Sequence, residues 1–334
     1  MGLVLVLVER SEADGTVRRS TCALLTVARR LGTPVAVLCG PVDAASIALL
    51  GRFGATTVCP VTSPEVDEYP ATCRVETLVE LAHRMSPTAM VIASGRAGQE
   101  IAARVAVRLD SGIVTDAIDI RMGPDGPIAV QSVLAGSYLV ESSVVRGVPV
   151  FTIRTEAAAA EAAPVDPTIL EVDIEFPARV RATRLVSRVR SDAGYRPDLA
   201  TAAVVVAGGH GIGSRDSFEL VDLVADALGG AVGGSHTATE LGWCPRDARI
   251  DQIGRIIHPG LYIALGISGS VRHRAAMQGA GTIVAIDRDP AAPIFRIADF
   301  GVVGDLHQVI PELLAEIRRR KGQPVAAAGD LAEV

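Results

Sequence analysis

Between Leu261 and Asp305 the chain carries glycines, hydroxyls, an imidazole and carboxylates in an order suited to holding a nucleotide. An apolar run, Leu261 to Leu265, meets a glycine-framed turn, Gly266-Ile267-Ser268-Gly269. A short helical piece bearing His273 follows and ends at Gly279 and Gly281; a second apolar run, Thr282 to Ile286, stops at Asp287. Glycines at a strand-to-helix turn let backbone approach a phosphate, and the free amides there can donate to it. Asp287 lies 18 residues after Gly269, close to the roughly 20-residue offset at which an acid reaches a ribose hydroxyl. The chemistry implied is binding of an adenine dinucleotide. The turn reads G-x-x-G, not the full G-x-G-x-x-G, so a plain tight loop is the competing reading.

Two further glycine turns precede this one. Gly208-Gly209-His210-Gly211-Ile212-Gly213 follows the apolar run Ala203 to Ala207, and Gly233-Gly234-Ser235-His236 follows a short strand ending at Val232. If these runs are neighbouring parallel strands, all three turns lie at one sheet edge and converge on one extended ligand. No nucleophile–base pair and no metal-ligand cluster accompanies them, so neither a catalytic residue nor a metal is expected. Cys22, Cys39, Cys59, Cys73 and Cys244 form no C-x-x-C pair; each reads as a small buried apolar residue in a reducing compartment, the cytoplasm.

Positioning these turns requires a sizeable scaffold. The chain has 334 residues, 49% hydrophobic and 21% charged, which points to two domains with aliphatic cores. A net charge of −6 and the scarcity of aromatics argue against nucleic-acid binding. No stretch reaches the roughly 18 uninterrupted apolar residues of a membrane span, so direct membrane insertion is not expected.

The first half alternates strand-like and helix-like segments. Leu3–Val8, Val35–Leu38, Thr56–Cys59 and Ala89–Ala93 read as buried strands, and Val17–Leu31, a helix capped by Asp43, Thr72–Met85 and Gln99–Leu109 read as helices. That βαβα order predicts a parallel sheet covered on both faces. Past Asp116, four strand-like runs (117–120, 128–134, 138–145 and 148–153) predict an antiparallel extension of the same sheet. Ser94, Arg96 and Asp116 fall near strand ends, where a ligand could sit, though no constellation supports one. Leu170–Val189 alternates apolar and charged residues, predicting strands with one wet face. The polar segment Ser191–Leu199 is the expected boundary. The division predicted is an N-terminal domain over 1–192, a C-terminal domain over 200–320 and a disordered tail over 321–334. A final helix, 306–319, closes the second domain.

The motifs LYIALGISGSVRH, TIVAIDRDPAAPIF and IADFGVVGDL closely resemble the alpha subunit of electron transfer flavoproteins, nearly continuously from Leu261 to Leu306. VVVAGGHGIGS, GAVGGSHTATELGW and DQIGR extend the likeness upstream, and the N-terminal half follows more loosely. The resemblance implies an α/β fold of two domains: an N-terminal three-layer α/β domain with a mostly parallel sheet, serving as a shelf for a partner, and a C-terminal Rossmann-like, doubly wound domain that binds FAD. It implies a heterodimer with a beta subunit, which in turn holds AMP or a second FAD. It further implies an electron carrier, not a substrate-transforming enzyme, running between acyl-CoA or related flavin dehydrogenases and a quinone reductase.

Carried onto this chain, the resemblance places Ser235 and His236 beside the isoalloxazine, with Ile250, Asp251, Gln252 and Ile253 along its border. Ser268, Gly269, Ser270, Val271, Arg272 and His273 would contact flavin and phosphate. Asp287, Asp305 and Leu306 would hold the adenosine end, and His210 completes the set. The departures fall inside these motifs. The family typically has Arg at 210 and 236, Gly at 251, Thr at 253, Gln at 272 and Asn at 287, where this chain has His210, His236, Asp251, Ile253, Arg272 and Asp287. A hydrogen bond to a charged group contributes roughly 1.5–3 kcal/mol. Losing one would shift a one-electron flavin potential by about 60–130 mV. Two other readings compete: a degenerate scaffold subunit with a weakened FAD site, and a nicotinamide-dependent oxidoreductase, for which no proton donor beside a substrate pocket is evident.

Overall fold

The computed structural model describes residues 2–11, 15–134, 138–155, 158–187, 196–200 and 202–321. They divide into two compact units, one of Met1–Val133 with Ser137–Val189 and the other principally Arg190–Val334.

The first unit runs β1 (Leu3–Leu7), α1 (Arg19–Leu31), β2 (Thr33–Cys39), α2 (Ala44–Arg52), β3 (Thr57–Val61), α3 (Glu65–Glu68), α4 (Pro70–Met85), β4 (Ala89–Ala93) and α5 (Arg96–Arg108). It continues with β5 (Ile113–Gly123), β6 (Gly126–Val133), β7 (Tyr138–Ser143), β8 (Val150–Ile153) and β9 (Thr168–Ile169). The strands form one sheet in the order β7-β6-β5-β8-β4-β1-β2-β3-β9. Val4, Val6 and Ala36 pack with Leu24, Leu25 and Leu50 of α1 and α2 on one face. Leu5, Leu7 and Val35 pack with Leu78 of α4 and Ile101 of α5 on the other. The inner strands are apolar on both sides because helices cover both, as a parallel sheet requires. Asp43 caps α2 as its position predicts, accepting from the Ser46 amide at 2.8 Å.

Two details depart from the sequence reading. Of the four runs expected to form an antiparallel extension, β5, β6 and β7 pair antiparallel in turn; β8 instead inserts parallel between β4 and β5. The segment 170–187 holds no strand. Its apolar Ile174, Phe176 and Val180 plug a small core with Val61, Val66 and Cys73. Its arginines strap it to the helices: Arg179 to Glu76 at 2.9 Å, Arg181 to Glu65 at 3.2 Å and Arg184 to Glu68 at 3.6 Å. Side chains that alternate between a pocket and acidic partners leave the same pattern as a half-wet strand.

The second unit runs β10 (Val204–Gly208), α6 (Glu219–Leu228), β11 (Ala231–Gly234), α7 (His236–Glu240), β12 (Leu261–Leu265), α8 (Val271–Met277), β13 (Thr282–Asp287), β14 (Phe300–Val303) and α9 (Leu306–Arg320). Its sheet has the order β11-β10-β12-β13-β14, with every pair parallel. The chain runs outward from β10 in one direction to β11 and then crosses back to β12. The gap between the turns after β10 and β12 is therefore the topological switch point, where open α/β sheets bind ligands. Of the expected tail, Lys321 follows α9 and donates Nζ to the Ala227 carbonyl at 2.6 Å; 322–334 lie outside the described residues. Part of the expected boundary, 191–195, also lies outside them.

Candidate functional site

The parallel register puts the ends of β10, β11, β12 and β13 at one edge of the second unit's sheet. The turns after β10 and β12 close on each other backbone to backbone. The Gly209 amide donates to the Leu265 carbonyl and the Gly211 amide to the Gly266 carbonyl, both at 2.9 Å. A Cβ on Gly209 would collide with the Gly266 carbonyl, and one on Gly211 would lie 2.7 Å from Gly266 Cα. Gly266 and Gly269 sit at φ +61° and +81°, and a side chain on Gly269 would meet the Ile294 backbone at 2.5 Å. Only glycine combines these dihedrals with this closeness. The third turn joins them through the Ser235 amide, which donates to the Gly208 carbonyl at 2.9 Å.

These turns wall a cleft of about 380 Å³. Its lining includes His210, Ser235, His236, Asp251, Ser268, Gly269, Ser270, Arg272, His273 and Asp287. Most of the residues singled out from sequence thus share one cavity. The rest do not line it. Ile250 is buried in the core under the sheet, with Tyr262 and Ala276. Leu306 is buried beside Ile310 and Leu265. Gln252, Ile253 and Val271 are exposed, Ile253 by 69%. Asp305 caps α9, accepting from the His307 amide at 2.8 Å. Two lining residues went unnoticed in the sequence, Thr237 and Arg288. Arg288 follows Asp287 directly, so its place at the same strand end was the available signal.

The charges in the cleft are arranged for an anion. Arg272 and Arg288 line it and form no ion pair or side-chain hydrogen bond among the described residues. Asp287, 8% exposed, spends Oδ1 on the Asp289 amide at 2.9 Å. Two imidazole nitrogens, His236 Nδ1 and His273 Nδ1, are buried without a geometric hydrogen bond among the described residues; buried polar atoms are normally paired. His273 is 3% exposed, and its Nε2 lies 2.7 Å from the Tyr262 hydroxyl. Burial pushes its pKa down to about 4 against the opposing pull of the nearby Ile250 carbonyl and Asp251, so the ring is neutral near pH 7. Burial likewise raises the Tyr262 phenol, which stays protonated. His210 stacks on Trp243, ring centroids 6.1 Å apart and planes at 18°.

Backbone laid bare by glycine for a diphosphate, free guanidinium groups, serine hydroxyls, a carboxylate at a strand end and unpaired imidazole nitrogens together fit FAD. Among the described residues no group of His, Cys, Asp and Glu could hold a metal ion.

Comparison with known proteins agrees with this chemistry. Residues 4–176 match the electron transfer flavoprotein domain, and residues 198–278 match the electron transfer flavoprotein FAD-binding domain. The electron transfer flavoprotein subunit alpha of Mycobacterium leprae is 42% identical over 96% of this chain and 100% of its own length. That of Syntrophomonas wolfei is 34% identical over 92% of this chain and 97% of its own. The mitochondrial subunit alpha of Arabidopsis thaliana is 34% identical over 73% of this chain and 69% of its own. With the FAD-binding match spanning the three glycine turns and 96% of the chain aligned to an alpha subunit, this protein belongs to the electron transfer flavoprotein family as an alpha subunit, and its cofactor is FAD.

Proposed function

We propose that this chain is the FAD-bearing half of a heterodimeric electron carrier. With a beta subunit it takes electrons from flavin dehydrogenases, acyl-CoA dehydrogenases or their relatives, and passes them to a downstream acceptor such as a quinone reductase. The observation that carries the reading is the meeting of three glycine turns at the switch point, around a cleft holding two arginines without an ion pair and two imidazole nitrogens without a hydrogen bond among the described residues.

FAD supplies the redox chemistry, taking up and releasing electrons one or two at a time. The chain's own residues bind and orient it. Gly209 to Gly211 and Gly266 to Gly269 expose backbone to the diphosphate, and Arg272 and Arg288 balance its charge. Asp287 keeps one carboxylate oxygen for a sugar hydroxyl, and Asp305 and Leu306 stand at the neighbouring strand end. Ser235, Ser268 and Ser270 add hydroxyls. His236 and His273 offer ring nitrogens to the flavin, His273 as a neutral group. Residues 1–192 serve the partner and 200–320 the cofactor, with AMP or a second FAD belonging to the beta subunit. The complex works in the cytoplasm. No described helix is long and apolar enough to cross a membrane.

The degenerate-scaffold reading is not favoured, because the departures from the family pattern leave cationic and unpaired groups in the cleft. Co-expression with a beta-type subunit and a visible spectrum test the proposal. A yellow complex that dehydrogenase and substrate reduce is expected. A complex that retains FAD yet accepts no electrons from any flavin dehydrogenase would contradict it.

A further inference from the structure

Asp251 stands in the cleft wall, yet its carboxylate has nothing left to offer a ligand. The residue is 1% exposed. Oδ1 accepts the Ile253 amide at 2.9 Å and the Gly254 amide at 2.5 Å. Oδ2 accepts Arg249 Nε at 2.6 Å and Arg249 Nη2 at 2.5 Å. A carboxylate has about four acceptor sites, and here all are taken. Burial works against this charge, but Arg249 and the Gly254 and Ile253 amides outweigh it and hold the carboxyl below the usual carboxylate range.

The same loop is tied down by its backbone. The Ile250 amide donates to the Gly234 carbonyl at 2.9 Å, and the Arg255 amide to the Arg249 carbonyl at 2.8 Å. Gly254 packs so tightly on the Arg249 carbonyl that a Cβ would collide with it. Arg249 also reaches across to α7, where Glu240 Oε1 lies 3.8 Å away. Glu240 in turn lies 4.0 Å from His236 Nδ1, the unpaired nitrogen of the cleft. One guanidinium thus faces two carboxylates, one in the 251–254 turn and one on the helix that carries His236.

We propose that Asp251 and Arg249 form a positioning brace: they fix the turn bearing Gln252 and Ile253 and tie it to α7, so that Asp251 acts on bound FAD through the backbone and not by contact. The inference rests on the reading that this cleft holds FAD. Where the family typically has glycine, a bare turn would leave the Ile253 and Gly254 amides and Arg249 without this acceptor.

The test uses the heterodimer and the variants Asp251→Asn, Arg249→Gln and the two combined, with Arg249→Lys as a milder probe that keeps the charge. Amide hydrogen exchange is read first, without added flavin. Slow exchange at Ile253 and Gly254 that speeds up at least tenfold in Asp251→Asn, with β12 unchanged, is expected. Fast exchange in the wild type overturns the brace, and this arm stands even if the protein binds no flavin, a result that would sink only the FAD reading. FAD affinity and the flavin midpoint potential are read second. Each single variant is expected to weaken FAD about tenfold and move the potential, the double variant no further than the singles, and Arg249→Lys less. Singles within twofold of wild type, or effects that add in the double variant, would overturn the proposal, the latter because Asp251 would then be touching the flavin itself.

Discussion

Both units end their parallel strands in polar residues, and the two edges use them in opposite ways. In the first unit, Ser94 donates to Asp116, Gln99 Nε2 donates to the same carboxylate oxygen at 2.9 Å, and the Asp116 amide donates to Thr152 Oγ1 at 3.0 Å. Asp116 sits at φ +55°, where the pairing of β5 with β8 shifts register. Those groups spend their hydrogen bonds on each other and lock β4, β8 and β5 together. In the second unit, His236 Nδ1 and His273 Nδ1 are buried without a geometric hydrogen bond, and Arg272 and Arg288 face a cleft with no ion pair among the described residues. Strand ends alone do not mark a binding site. What marks it is polar capacity left over after the fold has satisfied itself.

That contrast can be broken most forcibly at Gly269. A valine there meets the Ile294 backbone and must adopt φ +81°, so Gly269→Val is expected to lower FAD affinity by more than about a hundredfold. An equilibrium titration with FAD reads it, and an affinity near wild type would mean the turn does not hold the cofactor.

Glu76 tests the opposite kind of site. It is buried between Arg108 and Arg179, which outweigh burial and hold it below the usual carboxylate range. Glu76→Gln leaves two guanidinium groups without their charge partner and should cost about 3 kcal/mol in chemical denaturation of the first unit, with FAD content unchanged. Its stabilising effect is full above the ordinary glutamate range and is lost as pH falls through the lowered native value.

His273 gives the next largest effect. Its native pKa of about 4 lies below the ordinary histidine value near 6.5, so the unfolded chain takes up the proton first. Stability should therefore be full above pH 6.5 and fall by at most about 3 kcal/mol as pH drops towards 4. His273→Gln should flatten that part of a pH series of melting curves; an unchanged slope would place the titrating group elsewhere.

Arg272→Gln and Arg288→Gln should each weaken FAD about tenfold, the effect of one charge-assisted contact. Calorimetric titration at low and high salt checks this, with the loss smaller at high salt. The smallest effect expected is at Ser94. Ser94→Ala should cost about 1 kcal/mol of stability and leave the flavin untouched.

The three glycine turns, their convergence and the acid that ends β13 were legible in the sequence because glycine is demanded by local dihedrals and close approach. Sheet order was less so. The β8 insertion depends on pairing across the sheet, which the strand pattern of Val150 to Ile153 does not encode. The segment 170–187 misled because alternation records which side chains are covered, not what covers them. Ile250 and Leu306 came into the expected site through family likeness; in the fold both are core residues beneath it. The bonding of Asp251 stayed hidden because it links i to i+2 and i+3 in an irregular turn and to Arg249 two residues back, where no periodicity operates.

The central claim, that leftover polar capacity at the β10–β12 switch point holds FAD, is tested most directly by the fluorescence of Trp243, the single tryptophan of the chain. It stacks on His210 at the cleft, so bound flavin should quench it. Titrating flavin-stripped heterodimer containing a tryptophan-free beta subunit should give saturable quenching that ends at about one FAD per chain, and Gly269→Val should abolish it. Absence of quenching, or identical quenching in Gly269→Val, would contradict the account.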